Sequence, residues 1–397
     1  MKLRLFKFGM IAVVLLLSRF ISKKGKVVKK QSNHENLINK ITESHTVSQL
    51  AFIGEKRIPN DTTLGEIAVG GFSGIDYNPQ TEKWILISDD SSGRATACFY
   101  TAELEYDSHN FYEVTFKDVT HLKQTDGTTY PSSTQHDKKQ TGIVPDFESI
   151  RFDPNTNTIW YTSEGDRKIG LMSFIRHAKL NGQYLSDLKL PDQFKIGSKP
   201  NVGFRHNLAF EGSTFTPNGD FYYTTTEAPI YQDGDVSSTT HGSYIRIIKY
   251  DRQGEILAEY AYPVSEIPAK PDKDKAAGNG VSEILAINNH ELLILERAGV
   301  QMKDDSYFNY VSIYKGDTSS ASNISQLNSL KSGSFTPICK KLVLDLNTLD
   351  LPTIDNIEGM SWGPKLKNGH ESLVLVSDNN FNSSEVTQFL AFEVIPK

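Results

Sequence analysis

Glutamates recur at one point of a repeated segment, and their chemistry sets the first expectation. Ser73 holds this place in the first segment, and four later segments carry Glu148, Glu211, Glu283 and Glu358. Carboxylates that meet in a dry place repel one another, so they must keep protons or share a cation. Calcium takes six to eight oxygen ligands and suits such a set. We therefore predict a Ca²⁺ site formed by these four glutamates, with Asp378 and Asn379 as further ligands.

A second set of acids ends the same segments, and it includes Asp89, Asp90, Glu164, Glu227, Glu296 and Asp378. We assign Glu227 as the group that takes a proton from an attacking water. Arg205 or Arg297 would stabilise the negative charge that develops. Three more basic residues are expected to contact an anionic substrate: Arg151, Lys168 and His206. The structural alternative is that these acids only cap turns or accept backbone N–H groups.

Five segments that share one plan must position these residues. They are 72–90, 147–164, 210–227, 281–296 and 357–378. Each has a short apolar run, a turn often built from Asn, Pro or Gly, and a second run rich in β-branched and aromatic residues. This pattern is typical of a β-hairpin. A repeat of this length indicates one supersecondary unit that stacks against its neighbours.

Two further strand-like runs follow each of the first four hairpins, whereas only one follows the last. The stretch 48–58 supplies the missing strand, which is how a β-propeller closes its ring. We predict an all-β fold, a single propeller of five four-stranded blades whose first strands line a central channel. Six blades would require another blade within 101–146 or 297–356.

Charge divides the chain into two parts. The 397 residues carry a net charge of −6, but positive charge is concentrated near the amino end and the rest is acidic. An acidic body argues against nucleic-acid binding, which needs a basic face. Residues 1–45 combine basic residues with an apolar run at 8–17, a pattern typical of a secretory signal or weak membrane anchor plus linker. The alternative is a basic tail. Residues 46–397 form the predicted propeller domain.

Two other kinds of site receive little support. Gly71-Phe72-Ser73-Gly74-Ile75 approaches the G-x-S-x-G elbow of serine hydrolases, but it lacks the last glycine and belongs to a strand rather than a strand–turn–helix. Cys98 and Cys339 fall on blades that are not neighbours. We therefore predict two free, mostly buried cysteines.

Several segments together resemble one family. They are GFSGIDYNP, DFESIRFDP, LAFEGSTFTPNGDFYYTTTEAP, LLILERAG and NIEGMSW with LVLVSDNNF. They are similar to the phytase-like family described as "esterase-like activity of phytase", over about residues 48–395. The resemblance implies a β-propeller and an extracytoplasmic hydrolase. The Asp-Asp-Pro-Ala signature of the alkaline calcium-dependent phytases is not matched, since Asp89-Asp90-Ser91-Ser92 stands in that place.

The leading hypothesis is an exported, metal-assisted hydrolase that cleaves an ester or phosphoester at the channel mouth. It would act as a monomer on a small anionic or ester substrate, without nucleic acid, and the amino-terminal segment would serve for export or weak anchoring. The alternative is a non-catalytic, calcium-stapled propeller that binds a ligand or a protein at the cell surface. Lactone hydrolysis is a third, weaker hypothesis.

Overall fold

The computed structural model describes residues 44–396 apart from 91–92, 94–95, 133–134, 137–141, 197–200 and 332. Within these residues the chain forms 22 strands and three short 3-10 helices. The strands build five four-stranded sheets and one two-stranded ribbon. The predicted signal or anchor segment, residues 1–45, lies almost entirely outside the described residues. Across the described part of the chain, no helix has the length and apolar character to cross a bilayer.

The strands follow the predicted hairpin plan. The chain starts with β1 (Gln49–Ile58) and the ribbon of β2 (Thr63–Leu64) and β3 (Ile67–Ala68). Blade 1 contains β4 (Phe72–Asn78), β5 (Lys83–Ser88), β6 (Cys98–Tyr106) and β7 (Phe111–His121). Blade 2 contains β8 (Phe147–Phe152), β9 (Thr158–Ser163), β10 (Phe174–Lys179) and β11 (Tyr184–Asp187). Blade 3 contains β12 (Phe210–Phe215), β13 (Tyr222–Thr226), β14 (Ser243–Tyr250) and β15 (Ile256–Val264).

Blade 4 contains β16 (Ala277–Ala286), β17 (Glu291–Gln301), β18 (Tyr307–Asp317) and β19 (Cys339–Asp345). Blade 5 contains β20 (Asn356–Gly363), β21 (Glu371–Asp378) and β22 (Thr387–Ile395), and β1 is its fourth strand. The 3-10 helices are Arg167–Ile169, Asp192–Phe194 and Leu346–Thr348. Both long connections in which a sixth blade was considered belong to blades 1 and 4.

The ring closes as predicted. Strand β1 pairs antiparallel with β22, from Gln49 opposite Ile395 to Ile58 opposite Thr387. The first strands β4, β8, β12, β16 and β20 each contact the next one, and β20 returns to β4. These five strands therefore line the channel. We call its mouth the end at which they begin.

Apolar cores fill the space between neighbouring blades. Leu293 and Leu295 of β17 pack with Leu373 and Leu375 of β21, for example, while Ile294 of the same strand packs toward blade 3. Both faces of a second strand are thus buried, because blades cover it on either side. This explains why these strands read as continuous apolar runs rather than alternating ones.

The two cysteines are free, as predicted, but only Cys98 is buried. Cys339 is exposed, which corrects the expectation that both are mostly buried. It begins β19, the outermost strand of blade 4, and the outer edge of this strand has no further strand beside it.

Candidate functional site

Each first strand has a β-bulge close to its mouth end. The register shifts between Phe72 and Gly74, Phe147 and Ile150, Phe210 and Ser213, Val281 and Glu283, and Ile357 and Gly359. A bulge bends the strand and changes the direction of the side chains it carries. In each blade the bulge begins at an apolar residue, which is Phe72, Phe147, Phe210, Val281 or Ile357. The residues that directly follow these five are therefore equivalent: Ser73, Glu148, Glu211, Ser282 and Glu358.

This register corrects one predicted ligand. In blade 4 the equivalent of Glu211 is Ser282, and Glu283 is one residue further along β16. A shift of one residue in a strand moves a side chain to the other side. The Glu283 carboxylate lies 2.5 Å from Nη2 of Arg151 and accepts the backbone N–H of Ser213 at 3.0 Å. The structure therefore does not bring Glu283 together with the other three glutamates.

Eight carboxylates converge at the mouth instead of four. Three groups of acids each have ligand atoms within 4.8 Å of one another: Asp89, Glu358 and Asp378; Asp146, Glu148 and Glu164; Glu164, Glu211 and Glu227. Glu164 belongs to two groups, so the second and third are continuous. Oxygen-rich sets of this kind suit hard divalent cations. The structure thus unites the predicted ligands Glu148, Glu211, Glu358 and Asp378 with acids from the second set.

Burial and mutual repulsion change the protonation of these acids. Loss of solvation, with neighbouring carboxylates adding to it, holds the pKa of five of them well above the ordinary range: Asp89, Glu148, Glu164, Glu211 and Asp378. Burial also raises the pKa of Glu358, although Arg297 lowers it in part. Without a cation, burial and mutual repulsion therefore favour the protonated forms of these groups.

Glu227 has a pKa suited to proton transfer near neutral pH. Burial raises its pKa to about 7, with Arg297 lowering and Glu358 raising it. A general base works best when its pKa is close to the working pH. The position of Glu227 follows from β13, since Phe210 pairs with Thr226 and Glu227 is the next residue.

Arg297 is the cation at this level of the mouth among the described residues. It pairs with Gly280 on β16. In the other four blades the equivalent position at the end of the second strand is an acid: Asp89, Glu164, Glu227 or Asp378. Its Nη2 atom lies 3.1 Å from Glu358 and 3.6 Å from Glu227. Its Nε atom is buried and has no hydrogen-bond partner.

Glu296 faces elsewhere. Its carboxylate accepts the Tyr262 hydroxyl at 2.6 Å and lies 2.5 Å from Nζ of Lys340. Sequence reasoning placed Glu296 in the second acidic set, with Arg297 beside it. The structure exchanges the two: Arg297 belongs to the mouth, and Glu296 packs between blades 3 and 4.

Asn379 is committed to a loop. Its Oδ1 accepts the backbone N–H of Gly71 at 3.0 Å, and its Nδ2 donates to Asn60 at 3.1 Å. The amide thus fastens the connection before β4 to the end of β21. The preceding Asp378 lies among the acids. A role for Asn379 as a further metal ligand stays a prediction.

Arg151 lies deeper in the channel, three residues beyond Glu148 on β8, and its side chain is 2% exposed. Its guanidinium donates to one carbonyl from each of the other four blades: Ile75 at 2.7 Å, Ser213 at 2.6 Å, Ile284 at 3.5 Å and Met360 at 3.0 Å. It also lies 3.5 Å from Asp76. The expectation that Arg151 binds substrate is therefore corrected, since its donors already join the five blades.

The other predicted basic residues lie on loops at the mouth end. Arg205 donates to the carbonyls of Pro229 and Gly234 and stacks on Tyr231, so its guanidinium holds that loop. Lys168 is exposed in the first 3-10 helix. His206 lies 3.7 Å from Asp166. The hydrogen bonds and ion pairs described for these three residues join them to loop residues.

Sequence reasoning missed Asp146. It directly precedes the first strand of blade 2, and its carboxylate joins Glu148 and Glu164. The sequence did contain a signal. Of the five residues that precede the apolar residue at each bulge, Asp146 is the one acid, and the others are Gly71, Ala209, Gly280 and Asn356.

The acidic mouth is distinct from two cavities in the described part of the molecule. One of about 340 Å³ lies at blade 2, with Phe174, Arg176 and Leu188 in its wall. Another of about 510 Å³ lies at the tip of the β17–β18 hairpin beside Asp272 and Met302. Neither includes a mouth carboxylate.

Comparisons with known proteins give one family match. The phytase-like family model, described as "Esterase-like activity of phytase", matches residues 67–381. No curated protein matches the chain. Among solved structures, the chain is similar to a thermostable family-43 glycoside hydrolase, with 11% identity, a TM-score of 0.40, and 82% of this chain and 90% of that chain covered. It is also similar to a putative 6-phosphogluconolactonase from Bacteroides uniformis, with 15% identity, a TM-score of 0.32 and 81% of each chain covered. These likenesses are too distant to bear on function.

Proposed function

The chain belongs to the phytase-like family, and from this premise we propose that it is a hydrolase that cleaves an ester or a phosphoester at the mouth of the channel. Family membership supports the hydrolase class. The convergence of eight carboxylates at the mouth carries the finer proposal, that a divalent cation, with calcium as the best fit, assists the reaction.

The donor set fits such a cation. All eight groups offer oxygen atoms, and most are buried. Burial raises the pKa of seven of them, so the charged forms are penalised when no cation balances them. Each of the three acidic groups would be a candidate ligand set: Asp89, Glu358 and Asp378; Asp146, Glu148 and Glu164; or Glu164, Glu211 and Glu227. When bound, calcium would polarise an ester oxygen and lower the pKa of a coordinated water.

The residues of the chain would then divide the work. Glu227, with a pKa of about 7, takes a proton at its carboxylate near neutral pH. Arg297 lies between Glu227 and Glu358 and places its guanidinium where negative charge would develop on the substrate. It serves this role better than Arg205, whose donors are used by backbone carbonyls. Lys168 and His206 stay predictions for contacts with an anionic substrate.

The test is an activity assay of the full chain with a nitrophenyl phosphate and a nitrophenyl acetate. We expect turnover of at least one substrate, loss on chelation with EDTA, and recovery on addition of calcium. Glu211→Gln should abolish most activity, because the amide is a poorer ligand. Glu105→Gln is the matched control, since this exposed acid on blade 1 is remote from the mouth.

Three outcomes would change the proposal. Activity that survives both chelation and Glu211→Gln would contradict metal assistance. Calcium that raises the melting temperature without turnover of any ester would favour the non-catalytic, ligand-binding propeller. Turnover of lactones but not of the two nitrophenyl substrates would favour lactone hydrolysis.

Export is also part of the proposal. The basic residues and the apolar run within residues 1–45 support a signal or a weak anchor. Fractionation of the producing cells, followed by sequencing of the mature amino end, tests it. Protein found only in the cytoplasm with residue 1 intact would contradict export.

A further inference from the structure

The β17–β18 hairpin extends beyond the acidic mouth. Strand β17 continues four residues past Arg297 to Gln301, and β18 returns from Tyr307. At about 3.3 Å per residue, the hairpin rises about 13 Å above Arg297. Lys275 pairs with Asp305 at its tip, and Gln301 exchanges hydrogen bonds with Ala276. The hairpin is therefore braced against the segment that precedes β16.

Tyr307 and Arg297 lie on the same face of this hairpin. Directly paired residues of antiparallel strands share a face, as do residues two apart along a strand. Tyr307 pairs with Gln301, and Gln301, Gly299 and Arg297 alternate along β17. The side chain of Tyr307 is thus on the side of the sheet from which Arg297 reaches the mouth.

The Tyr307 ring lies over a glycine. A Cβ atom on Gly299 would be 3.3 Å from Cδ1 of Tyr307, so the missing side chain lets the ring lie close to the backbone. Gly278 on β16 pairs with Gly299, and a Cβ atom on Gly278 would meet nothing within 4 Å. Open space therefore lies beside the ring. Tyr307 is nevertheless 52% exposed. Aromatic pairs in stacked or edge-to-face arrangements gain energy beyond the area that they bury.

We propose that Tyr307 stacks on an aromatic or sugar ring of the substrate whose ester or phosphoester end lies at Arg297. Because the ring leans over Gly299, it lies about two residues, or about 7 Å, beyond Arg297. This distance is close to the length of one such ring with its ester bond. This inference rests on the proposed function, because it assigns the substrate class of the same site. Tyr307 is a residue that determines specificity, since the reacting atoms lie with the carboxylates.

Phe308 provides the matched control. It is the next residue, it is 48% exposed, and it pairs with Val300 on the opposite face of the hairpin, where it contacts Tyr310. Phe308→Ala removes an equally exposed ring from the same hairpin. Tyr307→Phe keeps the ring and removes only the hydroxyl.

The experiment has a binding arm and a kinetic arm. Calorimetry of the full chain in calcium buffer compares phenylphosphonate with methylphosphonate, and kinetics compares benzyl with ethyl esters, whose leaving groups are similar. We expect wild type to favour the aromatic partner of each pair by about tenfold. Tyr307→Ala should remove this preference, whereas Tyr307→Phe and Phe308→Ala should keep it.

The two arms separate this inference from the function on which it rests. Preferential binding of phenylphosphonate without turnover of any ester supports the Tyr307 platform and contradicts the hydrolase. Turnover of esters with a preference that Tyr307→Ala leaves intact, or with no preference in wild type, overturns the platform alone. Failure of both phosphonates to bind, or an equal loss in Phe308→Ala, also overturns it.

Discussion

Two levels of the same channel handle buried charge in opposite ways. At the mouth, eight carboxylates meet a single arginine among the described residues, and burial raises the pKa of seven of them. Deeper in the channel, Arg151 is paired with Glu283 and Asp76, and all its donors find acceptors. The deep level therefore supplies its own cation to two acids, whereas the mouth holds more carboxylates than its single described arginine can balance.

The difference shows what each level contributes. A buried ion pair with full hydrogen bonding fixes geometry rather than adding much net stability. Here the pair fixes the neighbouring bulge: Glu283 accepts the N–H of Ser213, two residues after Glu211. A Cβ atom on Gly212 would lie 2.5 Å from the Glu283 carboxylate, so only glycine fits between Glu211 and Ser213. The deep pair therefore positions the strand that presents Glu211 to the mouth.

Breaking the deep pair should give the largest effect. Arg151→Met leaves Glu283 buried without its cation and removes the donors to four carbonyls. We expect a loss of about 3–5 kcal/mol in the free energy of unfolding, measured with urea. Arg151→Met combined with Glu283→Gln should lose less, because no unpaired charge remains. Lys117→Met, at an exposed pair with Glu103, is the control and should change little. A loss below about 1 kcal/mol in Arg151→Met would contradict the assigned role.

Neutralising a mouth acid should have the opposite sign. Glu164 belongs to two acidic groups, and neighbouring carboxylates raise its pKa. In EDTA, Glu164→Gln should raise the free energy of unfolding by about 1 kcal/mol, because it removes like-charge repulsion. In calcium it should lose part of the stabilisation that the ion gives wild type. Equal destabilisation in both buffers would show that Glu164 is an ordinary structural acid.

The sequence allowed the blades to be predicted more reliably than the charges within them. Turn residues and apolar runs act locally, so the hairpins and the closing strand at 48–58 followed from pattern alone. The misplacement of Glu283 arose because the repeat was aligned on its acids. Alignment on the apolar residues Phe72, Phe147, Phe210, Val281 and Ile357 makes Ser282 the equivalent of Glu211. The bulge that justifies this alignment is visible only in the pairing of the strands. The role of Arg151 was beyond pattern, since its acceptors are backbone carbonyls of four distant segments.

The pH dependence of the metal-free protein should reflect the buried acids of both levels, since burial raises the pKa of Glu283 to about 8 and also raises that of Asp76. A group whose pKa is raised on folding adds stability below its unfolded pKa, and this is lost as pH rises through the folded value. For Glu227 the window runs from its ordinary 4.5 to about 7. After removal of metal, the melting temperature should therefore rise as pH falls from about 8 toward 5. Glu227→Gln should flatten this rise, and calcium should oppose it. A melting temperature that falls steadily over this range would contradict the charge assignment.

The smallest effect is expected at Arg297, which carries positive charge into the acidic level. Its guanidinium competes with a bound cation for Glu227 and Glu358. Arg297→Gln should therefore tighten calcium binding, by less than about tenfold, since the pairs are partly exposed. Ester turnover should fall in the same variant, because the charge that stabilises the substrate is gone. Titration calorimetry and the nitrophenyl assay test this pair of opposite changes. Weaker calcium binding together with weaker turnover would mean that Arg297 only holds the mouth in shape. Opposite changes would show that its charge acts on the substrate.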